Sequence, residues 1–140
     1  MTFRVVNFGT EPLQYAITPT VLTENAETKG DYGNVQVYFA TQTSRDITAQ
    51  TTWTTNCANN VVTVPAKGSA DVTVTVKLSD ALRKELTDTF ENGIYIEGYI
   101  TLKQQATAEG VTGCDLSIPY LAFYGDWDQA PVIDIGYYWQ

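Results

Sequence analysis

Apolar and polar residues alternate with a period of two through most of the chain. The pattern is cleanest from Ala70 to Leu78, where Ala70, Val72, Val74, Val76 and Leu78 fall on one side and Asp71, Thr73, Thr75 and Lys77 on the other. Such a stretch is a strand with one face in a core and one in water. GIYIEGYITLK at 93–103 repeats it, with Ile94, Ile96, Gly98, Ile100 and Leu102 inward and Tyr95, Glu97, Tyr99 and Thr101 outward. Shorter strands are predicted over 2–8, which ends at Gly9 and Glu11-Pro12, and over 35–39, 47–54 and 61–64. The stretch 13–21 alternates Leu13, Tyr15 and Ile17 against Gln14, Ala16 and Thr18, and Pro19 weakens its far end or marks it as an edge. Polar loops are expected at 23–34 and 104–113, the second making a hairpin of the strands on either side.

One segment changes period. In DALRKELTDTF, residues 80–90, Leu82, Leu86 and Phe90 recur at i, i+4 and i+8, a single apolar stripe on a helix. Ser79 or Asp80 is positioned to cap its start, and Asn92-Gly93 to end it. The stripe is expected to lie on the sheets as a lid.

A second segment keeps the strand residues but loses the alternation. In CDLSIPYLAFYGDWDQ, residues 114–129, Leu116 and Ile118 first oppose Asp115 and Ser117. After Pro119 the run Tyr120, Leu121, Ala122, Phe123, Tyr124 is apolar on both faces, until Gly125 and Asp126 stop it. A strand of this kind has a core behind it and a neighbour in front. Its proline places it at a sheet edge or a bulge, because proline cannot donate to a ladder. Seven or eight short strands, polar turns and one helix predict an all-β, antiparallel sandwich of immunoglobulin or fibronectin type III kind. At 140 residues the chain is expected to form one domain.

Composition narrows the chemistry. Sixteen Asp and Glu against eight Lys and Arg make nucleic acid and anionic membranes poor partners. No apolar run is long enough to span a bilayer, and Met1 runs straight into the strand-like TFRVVNF with no signal peptide, as in a segment cut from a longer protein. The chain has no histidine, and so lacks the usual general base, the serine-protease triad and the commonest transition-metal ligand. No phosphate-cradling glycine motif and no G-x-S-x-G occur, no cofactor is implied, and the chain alone is expected to be non-catalytic.

Three groups remain as candidates. Asp126, Asp128 and Asp134 follow the last strand, but their spacing matches no calcium loop, and turns often carry Asp. Cys57 and Cys114 are either a disulfide between distant segments or two buried free thiols, and they are too few for a zinc site. Among the aromatics, Tyr95, Tyr99 and Trp53 are candidates for a glycan-stacking platform, while aromatics equally fill sandwich cores and anchor interfaces.

These pieces, in order, resemble a known family. TFRVVNFGTEPLQYAI, VPAKGSADVTVTVKL, a short helix, NGIYIEGYITL and DLSIPYLAFYGDWDQAPVID are similar to the fibronectin type III-like domain of cell-envelope subtilisin-like serine proteases, the group of lactocepin and the complement-cleaving surface peptidases. The most specific parts are the E-G-Y centre of the strand at Gly93–Leu102, and I-P-Y and Y-G-D in Leu116–Asp126. Such domains follow the catalytic domain in large extracellular, wall-attached proteases. The resemblance therefore implies a cell-surface location and a non-catalytic accessory role, packed on a protease domain that carries the catalytic residues. Neighbouring domains of the parent chain, and its protein substrate, are the implied partners. The interface candidates are Tyr120, Leu121, Phe123, Tyr124 and Trp127, with Tyr137, Tyr138 and Trp139 in the apolar tail. The loop at 40–60 and the two cysteines depart from the family pattern. The docking reading requires that Tyr120, Leu121 and Phe123 are not all buried.

Overall fold

The computed structural model describes residues 1–32, 35–106 and 114–126, with the backbone alone for 28–32, 35–37 and 39. Eight strands and one helix follow in the order β1 (Thr2–Val6), β2 (Leu13–Tyr32), β3 (Val35–Asp46), β4 (Thr51–Thr55), β5 (Val61–Val64), β6 (Ser69–Leu78), α1 (Asp80–Thr89), β7 (Ile94–Gln105) and β8 (Leu116–Tyr124). They form two antiparallel layers, a three-stranded sheet β1-β6-β4 and a five-stranded sheet β3-β2-β7-β8 in which β5 also pairs with β2. The fold is the expected fibronectin type III-like sandwich.

The alternating strands bury the face their pattern assigns. Val72 and Val74 of β6 meet Tyr15 and Ile17 of β2, Val62 and Val64 of β5, and Ile100 and Leu102 of β7 in one core cluster. A second cluster joins Val21, Ile47, Ile94 and Ile96 to Leu82 and Leu86 of α1. The helix is therefore the predicted lid. Ser79 caps it, its side chain accepting from the Leu82 amide, and Phe90 completes the stripe at the edge of the second cluster. Burying Leu82 and Leu86 stabilises the helix by about 2 kcal/mol each relative to exposure.

The main difference from expectation lies in β2 and β3. Residues 23–32 extend β2 and hydrogen-bond back to a β3 that reaches Asp46, where a polar loop and a five-residue strand were expected. The stretch carries no apolar alternation, and beyond buried Thr23 its Asn25 and Glu27 are exposed, so no hydrophobic period marks a strand. The predicted strand 47–54 is instead a 3₁₀ turn, Thr48–Gln50, leading into β4. Pro19 is compatible with an interior strand because β5 pairs with β2 only as far as Ala16, and β3 only from Leu22. At Pro19 the strand has a neighbour only on the β7 side, so the edge its proline predicts is local.

Candidate functional site

The two motifs that carry the family resemblance lie opposite each other. β7 and β8 pair with Gly98 against Tyr120, Tyr99 against Pro119 and Ile100 against Ile118. Tyr120 turns inward against the first core cluster, and its hydroxyl donates to the Thr20 carbonyl at 2.9 Å. Burial pushes its phenol pKa up. Gly98 makes this crossing fit, since a Cβ there would stand 1.9 Å from the Thr20 oxygen and 2.8 Å from the Tyr120 hydroxyl. The E-G-Y and I-P-Y sequences are thus one cross-strand unit that locks β8 onto the sheet. β8 is a sheet edge, as Pro119 required, and among the described residues only β7 pairs with it.

The interface candidates divide by face. Tyr120 and Tyr124 point toward the core, Tyr124 reaching the second cluster, and are anchors of β8 more than contacts for a partner. Leu121 and Phe123 point outward. Leu121 is 66% exposed, and Phe123 is half-buried with its ring edge-on to Tyr95, centroids 5.4 Å apart. Trp127, Tyr137, Tyr138 and Trp139 lie outside the described residues, as do Asp128 and Asp134. Asp126 is exposed, and no group of three metal-ligating side chains comes together among the described residues.

Tyr95 and Tyr99, 50% and 49% exposed, continue the outward surface on β7. Three cross-strand rows define it: Phe123 opposite Tyr95, Leu121 opposite Glu97 and then Leu22, and Pro119 opposite Tyr99 and then Thr20. Trp53 does not join them. It sits half-buried in β4 of the other sheet, opposite Val76, so the three-aromatic glycan platform is not assembled. Sequence periodicity gave each residue a face but not a sheet, which is why Trp53 was grouped with the tyrosines.

A groove of about 380 Å³ opens beside this surface, walled by Tyr95, Glu97 and Leu121 on one side and by Glu24, Gln42 and Ser44 of the β2–β3 hairpin on the other. The hairpin bends here because Glu24 pairs with Ser44 but Ala26 with Ala40, so Asn25 alone faces three residues of β3. Gln42 takes up the excess in the left-handed region, φ 58°, and the Thr41 hydroxyl donates to the Asn25 carbonyl at 3.2 Å. Nothing in the sequence marked this bulge, because glycine, the usual resident of a left-handed position, is absent from it. Just below, Asp46 accepts from the Thr48 hydroxyl and amide, which hold its carboxyl below the usual carboxylate range.

Cys57 and Cys114 are free. Cys57 is half-buried against the first cluster, where burial pushes its thiol pKa up, and Cys114 is exposed ahead of β8. The structure thus carries neither the bridge nor a second buried thiol.

The family model of the Fn3-like domain matches residues 1–121, which takes in seven strands, the helix and the first two thirds of β8. The chain belongs to the Fn3-like domain family. It is 33% identical over 73 residues to the C5a peptidase of Streptococcus pyogenes serotype M1, covering 52% of this chain and 6% of that protein. It is 29% identical over 77 residues to the PI-type proteinase of Lactococcus lactis subsp. cremoris, covering 55% of this chain and 3% of that protein. The chain thus spans a small fraction of the length of the relatives it matches. As an Fn3-like domain similar to segments of such proteases, it fits an accessory part of a larger cell-surface protein and an extracellular or wall-associated setting. Among the described residues no helix is long and apolar enough to cross a membrane.

Proposed function

We propose that this chain is a non-catalytic docking module of an extracellular subtilisin-like serine protease, packing on the protease domain and shaping substrate access. The observation that carries the reading is the outward surface of β7 and β8, where Leu121 is 66% exposed beside Tyr95, Tyr99, Pro119 and Phe123. A contiguous apolar surface on a sheet edge is costly to leave in water and is a common mark of an interface. The names of the relatives, a C5a peptidase and a proteinase, supply the class of neighbour. The lack of histidine supports the non-catalytic part, since the acid–base work must come from elsewhere in the polypeptide. The decisive test is the reading frame upstream, where Asp, His and Ser in subtilisin-like contexts are expected. Their absence would remove the protease neighbour.

A second reading has one observation in its favour. Tyr95 and Tyr99 stand on the same exposed face four residues apart, about 13 Å along the strand, a spacing open to stacked sugar rings. Titration with a panel of soluble oligosaccharides, followed by the amide signals of Tyr95 and Tyr99, separates the readings, and unmoved signals across the panel dispose of glycan binding.

A further inference from the structure

We infer that the groove between the β3 bulge and the β7–β8 surface receives an arginine side chain, carried on an extended apolar segment of the neighbouring domain. This rests on the docking reading and names the chemistry of its partner. The groove is lined by Glu24 and Glu97 and by no Lys or Arg, Asp46 ends the Leu121–Glu97–Leu22 row, and the adjacent Arg45 is committed to Glu85. Four carboxylates elsewhere are matched internally, in the pairs Arg4–Asp71, Arg45–Glu85, Arg83–Asp80 and Lys84–Asp88, while Glu11, Glu27, Glu91 and Asp126 are exposed and lie outside this groove. Asp46 is engaged by Thr48. Glu24 and Glu97 make no ion pair and no side-chain hydrogen bond among the described residues, yet both line the groove. Acids that stay unmatched beside an apolar surface, in a chain of net charge −8, are complementary to a cation that arrives with its own apolar body.

The walls favour guanidinium over ammonium. Tyr95 and Leu121 offer a ring face and an aliphatic surface for a long stem. The two carboxylates and the Ser44 hydroxyl are all acceptors, and guanidinium brings five donors in a planar fork against three on a compact ammonium. The bulge supplies the third wall: without the extra residues on β3, Gln42 to Ser44 would continue the ladder and the groove would close to a flat sheet.

The test uses the isotope-labelled 140-residue chain and acetyl-Leu-Arg-Leu-amide as probe, with the lysine and citrulline peptides beside it. The arginine peptide is expected to shift the amides of Thr43, Ser44, Tyr95, Glu97 and Leu121 saturably, with a dissociation constant of about 1 mM. Replacing arginine by the neutral citrulline, or combining Glu24→Gln with Glu97→Gln, should weaken binding about tenfold. Raising salt from about 0.05 to 0.5 M should weaken it about threefold. If the double variant loses its folded spectrum, Glu97→Gln alone, at an exposed position, carries the comparison. Equal binding of the citrulline peptide, undiminished binding by the variant, or no shifts with about 10 mM arginine peptide overturns the proposal. Leu121→Asp in the longer polypeptide that includes the upstream domain separates the two ideas. If it releases the domain while the arginine peptide does not bind, docking stands and the groove chemistry fails; if it releases nothing, docking itself fails.

Discussion

β7 and β8 run side by side, paired from Ile94–Tyr124 to Leu102–Leu116, and are comparably apolar, yet the sandwich uses them differently. Every inward residue of β7 from Ile94 to Leu102 is buried, and the outward Tyr95, Glu97 and Tyr99 are exposed. No residue of β8 is fully buried. The cause is position. β7 lies between β2 and β8 above the opposite sheet, whereas β8 ends a five-stranded layer packed on a three-stranded one, so even its inward Leu116 and Ala122 are exposed. An apolar strand beyond the edge of its own core is held by a few specific contacts, here Tyr120 and Tyr124, and leaves the rest of its surface exposed. The difference teaches that apolar content records a demand for burial, and the sheet order decides whether the domain meets that demand itself.

This contrast can be broken most severely at the crossing that joins the two strands. Gly98→Val should destabilise by about 3 kcal/mol or prevent folding, because its Cβ lands on the Thr20 carbonyl. Thermal unfolding measures it, and a melting point near wild type would show that the crossing relaxes freely. Leu86→Ala, on the sealed side, should cost about 3 kcal/mol in denaturant unfolding, the loss of a side chain with only 1% exposure.

Tyr120→Phe sharpens the contrast at smaller scale. It keeps the ring and removes only the bond to Thr20, so a loss of about 1 kcal/mol is expected. Faster hydrogen exchange should accompany it in β8 and not in β6.

Smaller still is the pair of Arg45, at the end of β3, with Glu85 on the lid helix. The Arg45 guanidinium hydrogen-bonds the Glu85 carboxylate and holds it below the usual carboxylate range. A lowered folded pKa contributes stability above the unfolded value, and the contribution is lost as pH falls through the folded one. Both groups are partly exposed, so Glu85→Gln should cost about 0.5 kcal/mol at neutral pH and nothing once the pH is well below the carboxylate range. A cost that persists in acid would mean packing, not charge.

The sealed half of the molecule was legible in the sequence and the open half only in part. Period-two alternation found β6 and β7 and their inward faces, and the stripe Leu82, Leu86, Phe90 with Ser79 ahead of it found the lid, because in each case burial on one side imposes a period. Pro119 marked β8 as a sheet edge or a bulge, and β8 is the edge of its sheet. What stayed hidden lacks a periodic cause. The extension of β2 and β3 is polar and without apolar alternation, and Gln42 sits in a left-handed bulge without the glycine that signals one. Buried Asn7 ties the β1–β2 loop to the β5–β6 turn by donating to the Glu11 and Pro65 carbonyls, a role no local pattern distinguishes from that of an exposed asparagine. The inward turn of Tyr120 depends on Gly98 opposite it, which leaves room for its ring, a long-range pairing that no local pattern reveals.

The central claim, that the outward surface of β7 and β8 is covered in the intact protein, is tested most directly by hydrogen–deuterium exchange over Leu116–Tyr124. The 140-residue chain is compared with the longer polypeptide that includes the upstream domain. The account expects the Tyr120–Tyr124 amides to exchange at least about tenfold more slowly in the longer protein, while Val72–Val76 of β6 stay unchanged, and expects Leu121→Asp to abolish the difference without unfolding the isolated chain. Equal exchange in the two proteins would contradict it.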